Sequence, residues 1–99
     1  MATYVVLFNW TEQGIRNVRD TVERSDRANE LAERHSVSLE HIYWTVGPYD
    51  LTVVAEAPDD ESISAFLLEL SSAGNLRTTT LRAYNREEMS SILERLASG

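Results

Sequence analysis

From Thr3 to Trp10 apolar residues occupy both parities of the chain: Tyr4, Val6 and Phe8 on one, Val5 and Leu7 on the other. A run of this kind predicts a strand covered on both of its faces. Thr11 follows as an N-cap, because its hydroxyl can accept from a free backbone N–H one turn into a helix. Gly14 weakens the start of that helix. Ile15, Val18, Val22, Ala28, Leu31, Ala32 and His35 then keep a helical stripe, interrupted near Ser25 and Asp26. One kinked helix and two successive helices both satisfy that pattern.

The second strand is predicted from about Leu39 to Val46 and the third from about Tyr49 to Ala57, joined by Gly47-Pro48. Glycine supplies the positive φ that opens a type II′ turn, and proline's fixed φ suits the next position. This register sets Thr45 opposite Asp50, Tyr43 opposite Thr52 and His41 opposite Val54. One face then carries His41, Tyr43, Thr45, Asp50, Thr52, Val54 and Glu56. The other carries Ile42, Trp44, Val46, Tyr49, Leu51, Val53 and Ala55, nearly all apolar, and is expected against the helices. Pro58 ends the third strand, and Asp59, Asp60 and Glu61 load the first turn of a second helix with favourable negative charge. That helix has the stripe Ile63, Phe66, Leu67, Leu70, and Gly74 is its stop. The fourth strand is rich in β-branched residues, from about Leu76 to Tyr84, with Leu76, Thr78, Thr80, Arg82 and Tyr84 on one parity. Asn85 caps a tail helix over 86–97, whose stripe is Met89, Ile92, Leu93 and Leu96.

The order is βαββαβ with short connections. It gives an α+β domain of ferredoxin-like type: a four-stranded antiparallel sheet, two helices on one face and a C-terminal helix added. Ninety-nine residues make a single domain, 1–99. The uncovered sheet face is expected to carry Tyr43, Val54 and Tyr84. An apolar, aromatic sheet face is an association site, and the tail helix must bury its stripe too. Both point to a homodimer or higher homo-oligomer, symmetric by default.

Charge and composition narrow the partners. The net charge of −7 opposes nucleic acid and anionic membrane surfaces. All nine basic residues are arginine, with no lysine. A GC-rich genome produces that bias, and so does a high-salt cytoplasm, where acidic surfaces stay solvated. The lack of cysteine excludes disulfides, thiolate catalysis and cysteine-ligated metals. No signal peptide is read, and the apolar runs fall far short of the roughly 20 residues that span a bilayer. A cytoplasmic location is the default expectation.

Several ordered segments resemble the GYD domain family. They are Tyr43-Trp44-Thr45-Val46-Gly47-Pro48-Tyr49-Asp50, Glu56-Ala57-Pro58-Asp59-Asp60, Gly74-Asn75-Leu76-Arg77-Thr78 and Thr80-Leu81-Arg82-Ala83-Tyr84. The stretch from Tyr4 to Gly14, with Asn9-Trp10-Thr11 and Gln13-Gly14, is also similar. The likeness runs over roughly residues 3 to 85. It departs at His35-Ser36-Val37-Ser38, where the family usually has glycines. The resemblance implies a dimeric α/β-barrel, in which ferredoxin-like units pair through their sheets. It implies no settled activity. Neighbouring groups with this architecture include cofactor-free monooxygenases, lactone isomerases, haem-binding enzymes and small-molecule sensors, and fold alone does not choose among them.

The G-x-Y-D signature falls on Gly47, Tyr49 and Asp50. A functional reading makes Asp50 a general base or ligand acceptor and Tyr49 a hydrogen-bond donor. A structural reading makes Gly47 a turn residue, packs Tyr49 under the helices and bonds Asp50 to the turn's own N–H groups. The structural reading is preferred, since Gly and Asp are common in turns for local reasons. Of the two histidines, His35 sits on an apolar helical stripe and reads as a core or interface residue. His41 is expected to share a sheet face with Glu56 and Arg82, as a proton-handling group or as an ion cluster that sets dimer register. Neither histidine has a ligand motif beside it, so no metal is expected. No phosphate-cradling loop or serine nucleophile motif is present, and no cofactor is expected.

The expected pocket lies between sheet and helices, lined by Tyr43, Trp44, Tyr49 and Arg82. A small-molecule-binding or sensing module is the leading functional reading. A cofactor-independent oxygenase or isomerase, with His41, Tyr49 or Asp50 handling the proton, is the alternative. A structural oligomerisation unit is the third.

Overall fold

A computed structural model describes residues 1–97. In it β1 (Ala2–Trp10) lies inside the sheet, flanked by β3 (Leu51–Ala57) and β4 (Leu76–Ala83), with β2 (Ser38–Trp44) on the outer side of β3. All three pairings are antiparallel, in the order β2-β3-β1-β4. α1 (Glu12–Arg16), a short 3-10 turn (Val18–Asp20) and α2 (Thr21–Arg34) connect β1 to β2. α3 (Asp60–Ser71) connects β3 to β4, and α4 (Arg86–Glu94) follows β4. This is the α+β, ferredoxin-like arrangement that the sequence predicts.

The double-sided character of β1 has a clear cause. Tyr4, Val6 and Phe8 are buried under α2 and α3, together with Leu51, Val53, Ala55, Ile63, Phe66 and Leu67. Val5 and Leu7 lie on the opposite, helix-free face and are only half-buried. Pairing sets residues in rows across that open face. One row is His41, Val54, Val5 and Leu81; the next is Tyr43, Thr52, Leu7 and Thr79.

The caps are local chemistry. Thr11 accepts from the Gly14 N–H, and Asp59 accepts from the Ser62 N–H at 2.8 Å. Those contacts hold the Asp59 carboxyl below the usual carboxylate range. Asn85 and Glu88 form a reciprocal capping box at α4.

Three expectations are corrected. The helical break falls at Asn17–Asp20, not near Ser25. Ser25 returns its hydroxyl to the Val22 carbonyl at 2.6 Å and stays helical. The β2–β3 strands stop at Trp44 and Leu51, so residues 45–50 form a longer connection than a two-residue turn. Gly47 has the expected positive φ, at +147°, but Val46 and Tyr49 are exposed and do not pack under the helices. Lastly, β4 presents its faces the other way round. Arg82 is paired with Tyr4 and Thr80 with Val6, so that parity faces the helix side. Leu81, not Tyr84, completes the open face, and Tyr84 lies beyond the strand.

α4 stands away from the rest. The chain measures 55 × 30 × 19 Å. Met89, Leu93 and Leu96 are exposed on the tail. Its clearest tie to the sheet is Glu88 Oε2, 3.8 Å from Arg82 Nη2.

Candidate functional site

The sheet and the two covering helices do not close completely. At i, i+4, i+7 and i+10, α2 turns Thr21, Ser25, Ala28 and Leu31 toward the sheet, and only the last is large. Close packing fails where side chains are short. The result is a cavity of about 420 Å³ between α2, α3 and the sheet. Its floor is Val6, Phe8, Leu51 and Val53, and its α3 wall is Phe66, Leu67 and Leu70. Trp10 and Leu76 bound one end.

The polar lining is small and of one sign. It comprises Thr21, Ser25, Asn75 and three arginines of α2: Arg24, Arg27 and Arg34. Arg24 Nη2 lies 3.9 Å from Asp20 Oδ2, a loose ion pair. Among the described residues no carboxylate comes within 4.0 Å of Arg27 or Arg34. No carboxylate, imidazole or phenol among the described residues lines the cavity.

The cavity lies where a pocket is expected from the sequence, but with different walls. Tyr43 sits on the opposite, open face, its ring stacked on His41 at 6.0 Å. Trp44 comes nearest: its Nε1 donates to Thr21 Oγ1 at 2.9 Å, at the cavity edge. Tyr49 is exposed in the 45–50 connection, where its carbonyl accepts from Thr45 Oγ1. Arg82 lies at another corner of the sheet.

The Asp50 side chain is tied to β1 and not to the N–H groups of its own turn, although the Asp50 carbonyl accepts from the Thr45 N–H at 2.8 Å. Its Oδ2 accepts from the Trp10 N–H at 2.9 Å, and its N–H donates to the Phe8 carbonyl at 2.8 Å. His41 and Glu56 share the open face, but Arg82 is on the other parity, so the expected trio is not assembled. His35 is half-buried, with Nε2 2.9 Å from Glu69 Oε2. Among the described residues no three His, Asp or Glu side chains gather as metal ligands, and no helix is long and apolar enough to cross a membrane.

Sequence reasoning passed over Arg24, Arg27 and Arg34. The signal that could have found them is the run of short residues in the α2 stripe, flanked by arginines in an otherwise acidic chain.

A second cluster surrounds Tyr4, which is 3% exposed. Its hydroxyl donates to the Asp60 carboxylate. The Arg82 guanidinium lies 5.5 Å from the Tyr4 ring and 4.5 Å from the Tyr84 ring. Burial, then the hydrogen bond and negative charge of Asp60, push the Tyr4 phenol from 10.0 up to about 12. A raised folded pKa means the folded chain holds its proton longer than the unfolded one. The stabilisation is therefore complete below pH 10 and is lost as pH rises from 10 toward 12. Urea unfolding across that window is expected to lose on the order of 1–2 kcal/mol, and Tyr4→Phe to remove that slope. An equal slope in Tyr4→Phe would assign the loss to other groups.

The family model described as the GYD domain matches residues 4–93. A relative from Thermus thermophilus, named glutamine synthetase and cystathionine beta-lyase binding protein, is 34% identical over 84 residues. The match covers 84% of this chain and 88% of that protein. The solved structure of TTHA0845, also from Thermus thermophilus, aligns with a TM-score of 0.54 at 25% identity. It covers 87% of this chain and 100% of that one. The crystal structure of MtbAldR aligns with a TM-score of 0.66 at 15% identity, a likeness of fold. That alignment covers 86% of this chain but 52% of the other, so this chain spans about half of that protein's length.

Proposed function

This chain belongs to the GYD domain family, and from that premise we propose that it is a homodimeric small-molecule-binding or sensing module. One observation carries the reading: a cavity of about 420 Å³ with apolar walls and no proton-handling group among its described lining residues. Pockets for small ligands fall in the range of about 300–1,000 Å³, with apolar walls and a few polar groups. An oxygenase or isomerase working by proton transfer needs an acid or base within reach of its substrate. The cavity's polar lining is hydroxyls, an amide and arginines, with no carboxylate, imidazole or phenol among its described lining residues, which favours binding over turnover. The Thermus thermophilus relative is named for binding two enzymes, and that name supports a binding role as well.

The homodimer has separate support. Val5, Leu7, Val54, Leu81 and Tyr43 form a partly apolar sheet face that no helix among the described residues covers. Face-to-face pairing would leave both cavities, on the far side of each sheet, open to ligand.

Ala28 is half-buried and lines the cavity from α2. Ala28→Phe is expected to fill the space and weaken binding of an apolar probe such as decanol by about ten-fold or more. The titration is read from Trp10, whose indole lines one end. Unchanged decanol affinity in a folded Ala28→Phe chain would remove the cavity from the function.

A further inference from the structure

We propose that the cavity takes an amphipathic monoanion, a molecule with an aromatic or aliphatic body and a single carboxylate. The proposal rests on the binding-module reading above and adds the class of ligand.

The charge distribution points that way. The chain carries 16 acidic and 9 basic residues, yet three of those arginines and no described carboxylate line this one space. Arg24, Arg27 and Arg34 all come from α2, spread over about 15 Å along its axis. They can therefore form a cationic wall beside a floor made of Val6, Phe8, Leu51 and Val53. With no carboxylate within 4.0 Å among the described residues, the guanidinium forks of Arg27 and Arg34 are open to a ligand. A planar fork matches a carboxylate with two parallel hydrogen bonds. The rest of the molecule selects against more than one negative charge, because a net charge of −7 repels polyanions. The apolar floor selects against small, wholly polar anions such as phosphate.

A duller role is open to the same side chains. Arginine stems cover apolar surface while their heads stay in water, and such arginines would not distinguish a charged ligand from a neutral one. The test compares decanoate, decanol and decylammonium below their aggregation limits. They share one apolar chain and differ in head-group charge. Trp10 fluorescence or calorimetry reads their binding.

Decanoate is expected to bind at least about ten-fold more tightly than decanol, with decylammonium weakest. In the triple variant R24Q/R27Q/R34Q, decanoate is expected to lose its advantage over decanol, the ratio of the two affinities falling to about one. R77Q, which removes an arginine on the parity of the open face, is expected to keep the preference. Equal affinity of decanoate and decanol for the native chain would overturn the ligand class and leave the binding module standing. No binding of any of the three would overturn both. A preference lost in R77Q but kept in the triple variant would put the anion on the open sheet face and overturn the proposal.

Discussion

Gly14→Ala is expected to lower the stability of this chain by about 3 kcal/mol or more, against the usual sign of that substitution. In a helix, replacing glycine by alanine ordinarily stabilises by roughly 0.5–1 kcal/mol. Here the helix is pressed against the chain that enters β4. A Cβ placed on Gly14 would stand 2.0 Å from the Asn75 carbonyl oxygen and 3.0 Å from its carbon. Both are backbone atoms and cannot swing aside. The same joint holds two hydrogen bonds. Thr11 N–H donates to the Asn75 carbonyl at 3.0 Å, and Thr11 Oγ1 donates to the Gly74 carbonyl at 2.6 Å. Relieving the overlap means lifting α1 and breaking both. Net stabilities of about 5–15 kcal/mol leave little room for such a loss, and for about 100 residues each kcal/mol moves Tm by roughly 4–8 °C. Thermal melts should therefore show Gly14→Ala at least about 12 °C below the parent, with exposed Ile15→Ala close to it. A Gly14→Ala chain as stable as the parent would mean that α1 is not seated on this loop.

That joint shows why some features are legible in the sequence and others are not. Gly14 reads as a weakness of its helix because its partner, Asn75, is sixty-one positions away. The caps at Thr11 and Asn85 are legible because each acts on a backbone group three residues on. The middle of the β2–β3 ladder is legible because the two strands are close in sequence and alternate in polarity: the connection is longer than a two-residue turn, yet Tyr43 meets Thr52 as expected. β4 is harder. Its threonines fit either face, so only its ladder with β1 decides that Leu81 faces the open side. The cavity is the least legible of all. A void is made by side chains that fall short, here Ser25 and Ala28, and hydrophobic periodicity counts the residues that are present. Reading aromatic residues as pocket walls selected Tyr43 and Tyr49, which in the fold are exposed.

Leu81→Arg is expected to convert the homodimer proposed above into monomers while leaving each protomer folded. Leu81 is 49% exposed in the single chain, so arginine there breaks little of the protomer's own packing. It stands at the end of the row Val54, Val5, Leu81, beside the row Tyr43, Thr52, Leu7, Thr79. Four strands about 4.8 Å apart and about seven residues long present a face of roughly 20 by 23 Å. Corrugated side chains enlarge its accessible area toward the roughly 800 Å² per partner of a stable interface. α4 makes the same demand independently. A nine-residue helix is marginal in water on its own, yet it carries exposed Met89 and Leu93, with exposed Leu96 just after it. A second copy would supply the apolar surface that its own domain withholds. A twofold pairing places the substitution at both ends of one interface, so two unpaired charges would be desolvated together. The dissociation constant is then expected to rise by about 1,000-fold or more, which is roughly 4 kcal/mol. Sedimentation at micromolar concentration should show the parent at twice the protomer mass and Leu81→Arg at once that mass, with unchanged circular dichroism. Leu68→Arg, on α3 and 73% exposed, should leave the dimer intact. A dimer that survives Leu81→Arg but not Leu68→Arg would move the interface to the helical side, where it would cover α3 and crowd the mouth of the cavity.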